Sequence, residues 1–217
     1  KATVAGTAGG TSIDLARLGA DVTVVGARGD DLLGQMMEET LRQEGVTPLL
    51  SLKEDVQTSA TILPIHPDGS RPAWHVRGAN RELGPDDVPA DAMEDRDVVH
   101  YAGFTALPGL DGEPAATLLA EARSGGAFVT ADCLGVKRHD TGPLLEAMLP
   151  QIDLFMPNRA EATALTEQSD VFEAARSLRQ LGAKSVIVTC DADGCVISDA
   201  QGERSMPAFV APVVDST

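Results

Sequence analysis

Apolar positions follow two different periods along this chain. Short apolar runs, which are typical of buried strands, occur at "VTVVG" (22–26), "DVVHYAG" (97–103), "AFVTAD" (127–132), "DLFMP" (153–157) and "SVIVTC" (185–190). Between them lie stretches such as "DLLGQMMEETLRQEG" and "PAATLLAEARSGG", in which Leu, Met and Ala recur at intervals of three and four residues. Strands that alternate with amphipathic helices predict an α/β fold with a central, mostly parallel sheet flanked by helices.

One segment departs from this order. Residues 58–78, "TSATILPIHPDGSRPAWHVRG", contain two extended runs around a "HPDG" turn, a pattern typical of a β-hairpin. Such a hairpin either extends the edge of a sheet or forms a lid over a site, and we favour the lid. Because no repeat, low-complexity tract or linker interrupts the sequence, residues 1–217 are interpreted as a single domain that carries this hairpin.

Composition narrows the class of protein. The 33 Asp and Glu residues exceed the 17 Lys and Arg residues, a balance that disfavours partners with negative charge, namely nucleic acids and acidic membranes. No stretch approaches the roughly 20 apolar residues of a membrane span, and "KATVAGTAGG" lacks the apolar centre of a signal peptide. The three cysteines show neither C-x-x-C spacing nor clustered His partners, so we interpret them as buried thiols of a soluble cytoplasmic protein.

Ligands of open parallel sheets bind beyond the carboxyl ends of the strands, so the loops there are the first candidates for a site. "AGTAGGTSIDLARLG", residues 5–19, predicts a glycine-rich turn that leads into a helix over residues 12–18. Such a turn can expose backbone N–H groups to a ligand, or it can simply be a tight connection. The sequence of this segment alone leaves both interpretations open.

Two later segments combine structural and chemical signals. In "PNRAEA", residues 157–162, Asn158 and Glu161 have the spacing of a helix capping box, and the same amide and carboxylate could orient a hydrated magnesium ion beside phosphates. The two interpretations are compatible. In "VTCDADG", residues 188–194, Thr189 ends a strand and Gly194 completes a tight turn, which by itself predicts only a hairpin.

The order of these segments, ending in "VVDST", resembles the ribokinase-like (PfkB) family of carbohydrate and nucleoside kinases. The resemblance extends from Lys1 to Thr217. Gly6, Gly19 and Gly29 fit the first signature of that family, and "PNRAEA" matches its Asn-x-x-Glu motif. The resemblance implies a ribokinase-like central sheet with a small β-sheet lid, ATP-dependent phosphorylation of a sugar, and a homodimer formed through the lid. A nucleoside kinase of the same fold is the alternative enzyme.

The resemblance also implies roles for individual residues. The sugar would lie under the lid beside Gly6, Thr7, Gly10 and Gly103. Magnesium and its waters would be held by Asn158 and Glu161, and the nucleotide would be bound by Asn158, Thr189, Asp191 and Gly194. A monovalent cation such as K⁺ would be held by Asp215 and Thr217.

In relatives of this family, the segment that resembles "VVDST" continues into a Gly-Ala-Gly-Asp turn, whose amides form an anion hole and whose Asp is the general base. Relatives also begin with a strand that carries a sugar-binding Asp. We therefore expect residues 1–217 to be a kinase that lacks both ends, to have its general base beyond Thr217, and to be inactive alone.

Two positions depart from the family pattern. Gly10 replaces a substrate-binding Asn, and Asp191 replaces a glycine of the "VT-x-G" motif. The first change predicts altered substrate choice. The second places a carboxylate near the phosphates, and a Cβ at a position suited to positive φ, and so predicts weaker nucleotide binding. Both changes would also suit a non-catalytic sugar- or nucleotide-sensing protein.

Overall fold

The computed structural model describes residues 2–66, 70–135 and 141–210. Its largest sheet has six strands in the order β10-β9-β8-β7-β6-β5, with β5 to β8 parallel and the last two antiparallel. These strands are β5 Val98–Phe104, β6 Phe128–Cys133, β7 Leu154–Met156, β8 Ser185–Thr189, β9 Cys195–Asp199 and β10 Gly202–Met206. The α-helices are α1 Gly6–Arg17, α2 Leu32–Gln43, α3 Glu113–Ser124, α4 Gly142–Met148, α5 Arg159–Thr166 and α6 Val171–Gln180.

A separate parallel pair of strands, β1 (Val22–Gly29) and β2 (Val46–Lys53), is joined by α2. The apolar run at 22–26 predicts β1, whereas β2 was not predicted from the sequence. Pro48 interrupts the apolar pattern of this strand, and because proline donates no backbone hydrogen bond it is confined to edge positions. Within the described part of the chain, β2 pairs with β1 alone and so provides such a position.

The predicted pairing of the two extended runs is confirmed, because β3 (Ala60–Ile62) and β4 (Trp74–Val76) form a two-stranded antiparallel sheet. Residues 67–69 of the predicted "HPDG" turn lie outside the described residues. Most side chains of β3 and β4 are exposed, including Ile62 and Trp74, whereas Thr58 at the base of the hairpin is only 4% exposed. The hairpin therefore projects from a buried base.

The predicted glycine turn before α1 is wrong, because the helix begins at Gly6 rather than at residue 12. Gly9 lies inside the helix, where a Cβ would come within 2.6 Å of a methyl carbon of Val4. The glycine at this position therefore serves close packing of the preceding chain on the helix. Gly6, with φ of 84°, adopts the left-handed backbone that glycine tolerates at the helix start.

The main core lies between the six-stranded sheet and the helices packed on it. Phe104 and Phe155 meet edge to face, with ring centroids 6.2 Å apart and both rings 2% exposed or less.

Among the described residues, no helix combines the length and the apolar character needed to cross a bilayer.

The base of the hairpin is held by Asp31, the N-cap of α2. One Asp31 oxygen accepts hydrogen bonds from Gly34 N at 2.8 Å and from the Thr58 hydroxyl at 2.7 Å, and the other accepts from Thr58 N at 2.8 Å. The Thr58 hydroxyl in turn accepts from Gly29 N at 3.0 Å. A Cβ on Gly29 would lie 2.2 Å from a carbonyl oxygen of the hairpin base, so the chain passes too close for any other residue. These contacts attach the hairpin to the β1–β2 pair.

We predict that Thr58→Val destabilises the protein by about 1–3 kcal/mol, because it leaves the buried Gly29 N–H without an acceptor. Thr58→Ser keeps the hydroxyl and is the matched control. Urea unfolding of both variants measures the difference, and equal stability of the two variants would contradict the account.

A second prediction concerns pH. Hydrogen bonds from the Thr58 N–H and hydroxyl and from the Gly34 N–H hold the pKa of Asp31 below its ordinary value. A lowered folded-state pKa stabilises the protein above about pH 4, and this contribution is lost as the pH falls through the folded-state pKa. Asp31→Asn keeps a capping side chain but does not titrate. The difference in unfolding free energy between wild type and variant should shrink as the pH is lowered from about 6 to about 2.5, and a constant difference would contradict this origin.

Candidate functional site

The loops that follow β5, β6, β7 and β8 meet at one edge of the main sheet, because the carboxyl ends of parallel strands lie side by side. The loops after β7 and β8 are joined directly, with Thr189 N donating to the carbonyl oxygen of Pro157 at 3.1 Å and Asn158 forming a bridge to Thr189. Asn158 and Thr189, both predicted from sequence, are therefore neighbours.

The capping box predicted from "PNRAEA" is confirmed. Asn158 Oδ1 accepts from Glu161 N, and Glu161 Oε2 accepts from Asn158 N, both at 2.9 Å. The other oxygen of Glu161, Oε1, accepts from Gly135 N in the loop after β6, also at 2.9 Å. Glu161 is only 8% exposed, and its carboxylate fixes the relative positions of two loops at the sheet edge.

The donor set of this site fits a water-held metal rather than a direct cage. Within the described ranges, no three His, Cys, Asp or Glu side chains converge in the manner of a metal-binding cluster. Each Glu161 oxygen accepts a hydrogen bond from a backbone N–H and can accept a second hydrogen bond. The carboxylate can therefore accept a hydrogen bond from a water on a metal ion, which suits magnesium because it retains several waters.

The predicted substrate residues Thr7 and Gly103 are adjacent. Gly103 has φ of 80°, and a Cβ on it would lie 3.2 Å from Thr7 Oγ1. The Gly103 N–H donates to Asp132 Oδ1, which holds the end of β5 against β6. By contrast, Cβ atoms placed on Gly6 and Gly10 would meet no other heavy atom within 4 Å, so both glycines leave open space at the start of α1.

A polar group of three side chains extends from Asp132 along β5 and β6. His100 Nδ1 lies 2.8 Å from Thr130 Oγ1, and His100 Nε2 lies 3.7 Å from Asp132 Oδ2. The neighbouring Cys133 has its thiol pKa raised to about 12, chiefly by burial and then by the charge of Glu161. Its thiol is therefore protonated at neutral pH and is a poor nucleophile.

The nucleotide side of the predicted site is the tight turn between β8 and β9. Cys190 N donates to Gly194 O at 2.8 Å, and a Cβ on Gly194 would lie only 2.0 Å from Met206 O, so glycine is required there. Asp191 has φ of 51°, which confirms that this position takes a left-handed backbone. The Cβ of Asp191 makes this backbone conformation less favourable than it would be for glycine.

Sequence reasoning missed an ion pair between the two loops on this side. Arg159, the first residue of α5, contacts Asp193 Oδ2 at 2.6 Å, and both side chains are largely exposed. Asn158, Arg159 and Asp191 also border an open surface depression of about 780 Å³. The sequence shows both charges, but it does not show their contact, because this contact forms only when β7 and β8 lie side by side in the sheet.

The two residues predicted to hold a monovalent cation, Asp215 and Thr217, lie outside the described residues.

Three similar proteins illustrate the resemblance. An uncharacterized sugar kinase of Archaeoglobus fulgidus is 24% identical over 203 residues, which cover 94% of this chain and 80% of that protein. The structure of adenosine kinase from Sinorhizobium meliloti matches with a TM-score of 0.85 and 26% identity, over 98% of this chain and 66% of that one. Aminoimidazole riboside kinase from Salmonella enterica, solved with aminoimidazole riboside and an ATP analog, matches with a TM-score of 0.77 and 25% identity, over 95% and 69%.

A match to a protein-family model agrees with the fold and with the order of the motifs in this chain. The sequence model that describes the pfkB family of carbohydrate kinases matches residues 1–217. The predicted family and the predicted ribokinase-like fold are both confirmed: this chain belongs to the pfkB carbohydrate kinase family.

Proposed function

We propose that the protein transfers a phosphoryl group from ATP to a hydroxyl group of a sugar. The observation that carries this proposal is the Glu161 carboxylate, which joins the loops after β6 and β7. These loops lie between the Thr7–Gly103 pair on one side and the turn at 190–194 on the other. Such an arrangement suits phosphoryl transfer, because the protein's main task there is to hold acceptor and phosphates in line.

The site residues have separate tasks in this proposal. The sugar lies beside Gly6, Thr7, Gly10 and Gly103, under the hairpin of residues 58–78. Magnesium neutralises phosphate charge and is held through water by Asn158 and Glu161. The nucleotide is bound by Asn158, Thr189, Asp191 and Gly194. A general base beyond Thr217 and a monovalent cation at Asp215 and Thr217 complete the proposal.

The open space at Gly10 supports an acceptor that differs from the substrates of relatives with Asn at this position. An amide side chain there would supply hydrogen bonds that glycine cannot. A nucleoside is the second candidate acceptor. It is favoured by the structural match to an adenosine kinase, which has a TM-score of 0.85.

The exposed apolar side chains of the hairpin support a homodimer. Ile62, Ile65 and Trp74 are 63%, 71% and 65% exposed, and Ile62 and Trp74 are cross-strand partners. Exposed apolar side chains that lie together are typical of a surface that another protein covers. A second copy would cover both hairpins at once in a two-fold symmetric interface. Such a dimer would act in the cytoplasm on soluble sugars and ATP.

The direct test is a phosphorylation assay with protein made from the complete coding sequence, with Mg²⁺, ATP and a panel of sugars and nucleosides. We expect ATP-dependent phosphorylation of at least one sugar, and we expect residues 1–217 alone to be inactive. Phosphorylation of nucleosides only would favour the second candidate. Binding of sugar or ATP without turnover by the complete protein would instead indicate a sensing protein, and activity of residues 1–217 would contradict the expected position of the base.

Asn158 allows capping to be separated from ligand binding. We predict that Asn158→Ala loses about 1 kcal/mol of stability with the cap, whereas Asn158→Asp keeps both cap and stability. Both variants should lose at least about tenfold in kcat/KM, because the first lacks the amide and the second adds negative charge beside the phosphates. Unfolding curves and kinetics measured on the same preparations test this. Wild-type kinetics in Asn158→Asp would show that Asn158 acts only as a helix cap.

Asp191 permits a similar separation of charge from backbone conformation. Asp191→Gly and Asp191→Asn both remove the carboxylate, but only glycine removes the Cβ at φ of 51°. We predict that both variants bind ATP at least about threefold more tightly, since phosphate repulsion is relieved. Asp191→Gly alone should also gain up to about 1 kcal/mol of stability. Calorimetric titration with ATP and Mg²⁺ measures the affinities, and unchanged affinity in both variants would show that Asp191 points away from the phosphates.

A further inference from the structure

Two residues with positive φ, separated by a single position, lie at the end of β5 and at the start of the loop that follows it. Gly103 has φ of 80° and Thr105 has φ of 78°. Glycine adopts this conformation readily, but a β-branched threonine is a genuine outlier there and is retained only where surrounding contacts hold it. Thr105 is 8% exposed, so the contacts that hold it are inside the protein.

Asp111 supplies the contacts that hold the backbone of this loop. Its Oδ1 accepts from Thr105 N at 3.3 Å and from the Tyr101 hydroxyl at 2.9 Å, and its Oδ2 accepts from Leu107 N at 3.1 Å. Asp111 is itself 8% exposed. A buried carboxylate that accepts the N–H groups of Thr105 itself and of Leu107, two residues later, fixes the backbone of this loop segment.

The Thr105 side chain points to the loop after β6. Its hydroxyl donates to the carbonyl oxygen of Gly135 at 2.5 Å and approaches that of Leu134 at 3.3 Å. The N–H of the same Gly135 donates to Glu161 Oε1. Gly135 is therefore held from both sides, by Thr105 through its carbonyl group and by Glu161 through its amide.

We propose that Thr105 is a positioning residue of the site. Asp111 holds its backbone N–H, and its hydroxyl ties the loop after β5 to Gly135 and thereby fixes the Glu161 carboxylate. The role of this link in phosphoryl transfer rests on the proposed function, but the link itself does not. Thr105 couples the end of β5, which carries Gly103 on the substrate side, to the carboxylate on the phosphate side. Such coupling suits a reaction in which a 1 Å displacement is costly.

Three substitutions at Thr105 separate the hydroxyl from the backbone strain. Thr105→Ala removes the hydroxyl and keeps the Cβ at positive φ, Thr105→Gly removes both, and Thr105→Ser keeps the hydroxyl. The readout is amide hydrogen exchange by NMR at Gly135 and Asn158, the two N–H groups that Glu161 accepts. The reference is Gly34 N, which donates to Asp31 at the base of the hairpin.

We expect exchange at Gly135 and Asn158 to be at least about tenfold faster, relative to Gly34, in both Thr105→Ala and Thr105→Gly, and unchanged in Thr105→Ser. Asp111→Asn should accelerate the same amides, because its amide group turns a donor toward Thr105 N or Leu107 N. Thr105→Gly relieves the positive φ, so this variant gives a result even if Thr105→Ala does not fold.

Two outcomes would overturn the proposal. Acceleration in Thr105→Ala but not in Thr105→Gly would show that only the strained backbone matters and that the hydroxyl carries no link. Wild-type exchange in both variants would show that Gly135 and Glu161 are held without Thr105.

The same variants, prepared in the complete protein, test the role in catalysis. We expect kcat to fall at least about tenfold in Thr105→Gly with less than about a threefold change in KM for ATP, and Thr105→Ser to recover kcat. Altered exchange with wild-type kcat would overturn the positioning role. If the wild-type protein phosphorylates no sugar or nucleoside, the proposed function fails, and the exchange experiment still decides whether Thr105 fixes Glu161.

Discussion

The organisation of the site depends on one buried carboxylate. Glu161 accepts the N–H of Asn158 with one oxygen and the N–H of Gly135 with the other. Removing a carboxylate from water is costly, and hydrogen bonds from backbone amides offset that cost while the N-terminal end of α5 adds favourable electrostatics. One rigid carboxylate accepts hydrogen bonds from both loops. If either loop moved away, one oxygen of this buried carboxylate would lose its backbone donor.

The same principle recurs at two other carboxylates. Asp111 holds the loop after β5 by accepting the N–H groups of Thr105 and Leu107. Asp31 caps α2 and accepts both donors of Thr58, which attaches the hairpin to the β1–β2 pair. Short acidic side chains thus define loop positions that hydrophobic packing alone would leave free, because a carboxylate fixes the direction of each N–H that it accepts.

The sequence allowed prediction of the features that follow from local patterns. Apolar runs revealed the four parallel strands of the main sheet and also β1, and the spacing of Asn158 and Glu161 revealed a capping box. The start of α1 was mispredicted because glycine usually marks a turn. Gly9 instead lies within the helix, where the absence of a Cβ lets the Val4 side chain pack against it. Thr105 and Asp111 gave no signal, since a left-handed threonine is recognised only from its coordinates. Contacts between loops that are distant in sequence depend on the register of the sheet and have no local signature.

The central claim is that the loops joined by Glu161 form the phosphate side of a nucleotide site. The most direct measurement is an NMR titration of the complete protein with a non-hydrolysable ATP analogue and Mg²⁺, following backbone amide shifts. The account predicts the largest shifts at Gly135, at residues 158–161 and at residues 190–194, with only small shifts at the far end of the sheet. Shifts concentrated away from these loops, in a protein that binds the analogue, would contradict it.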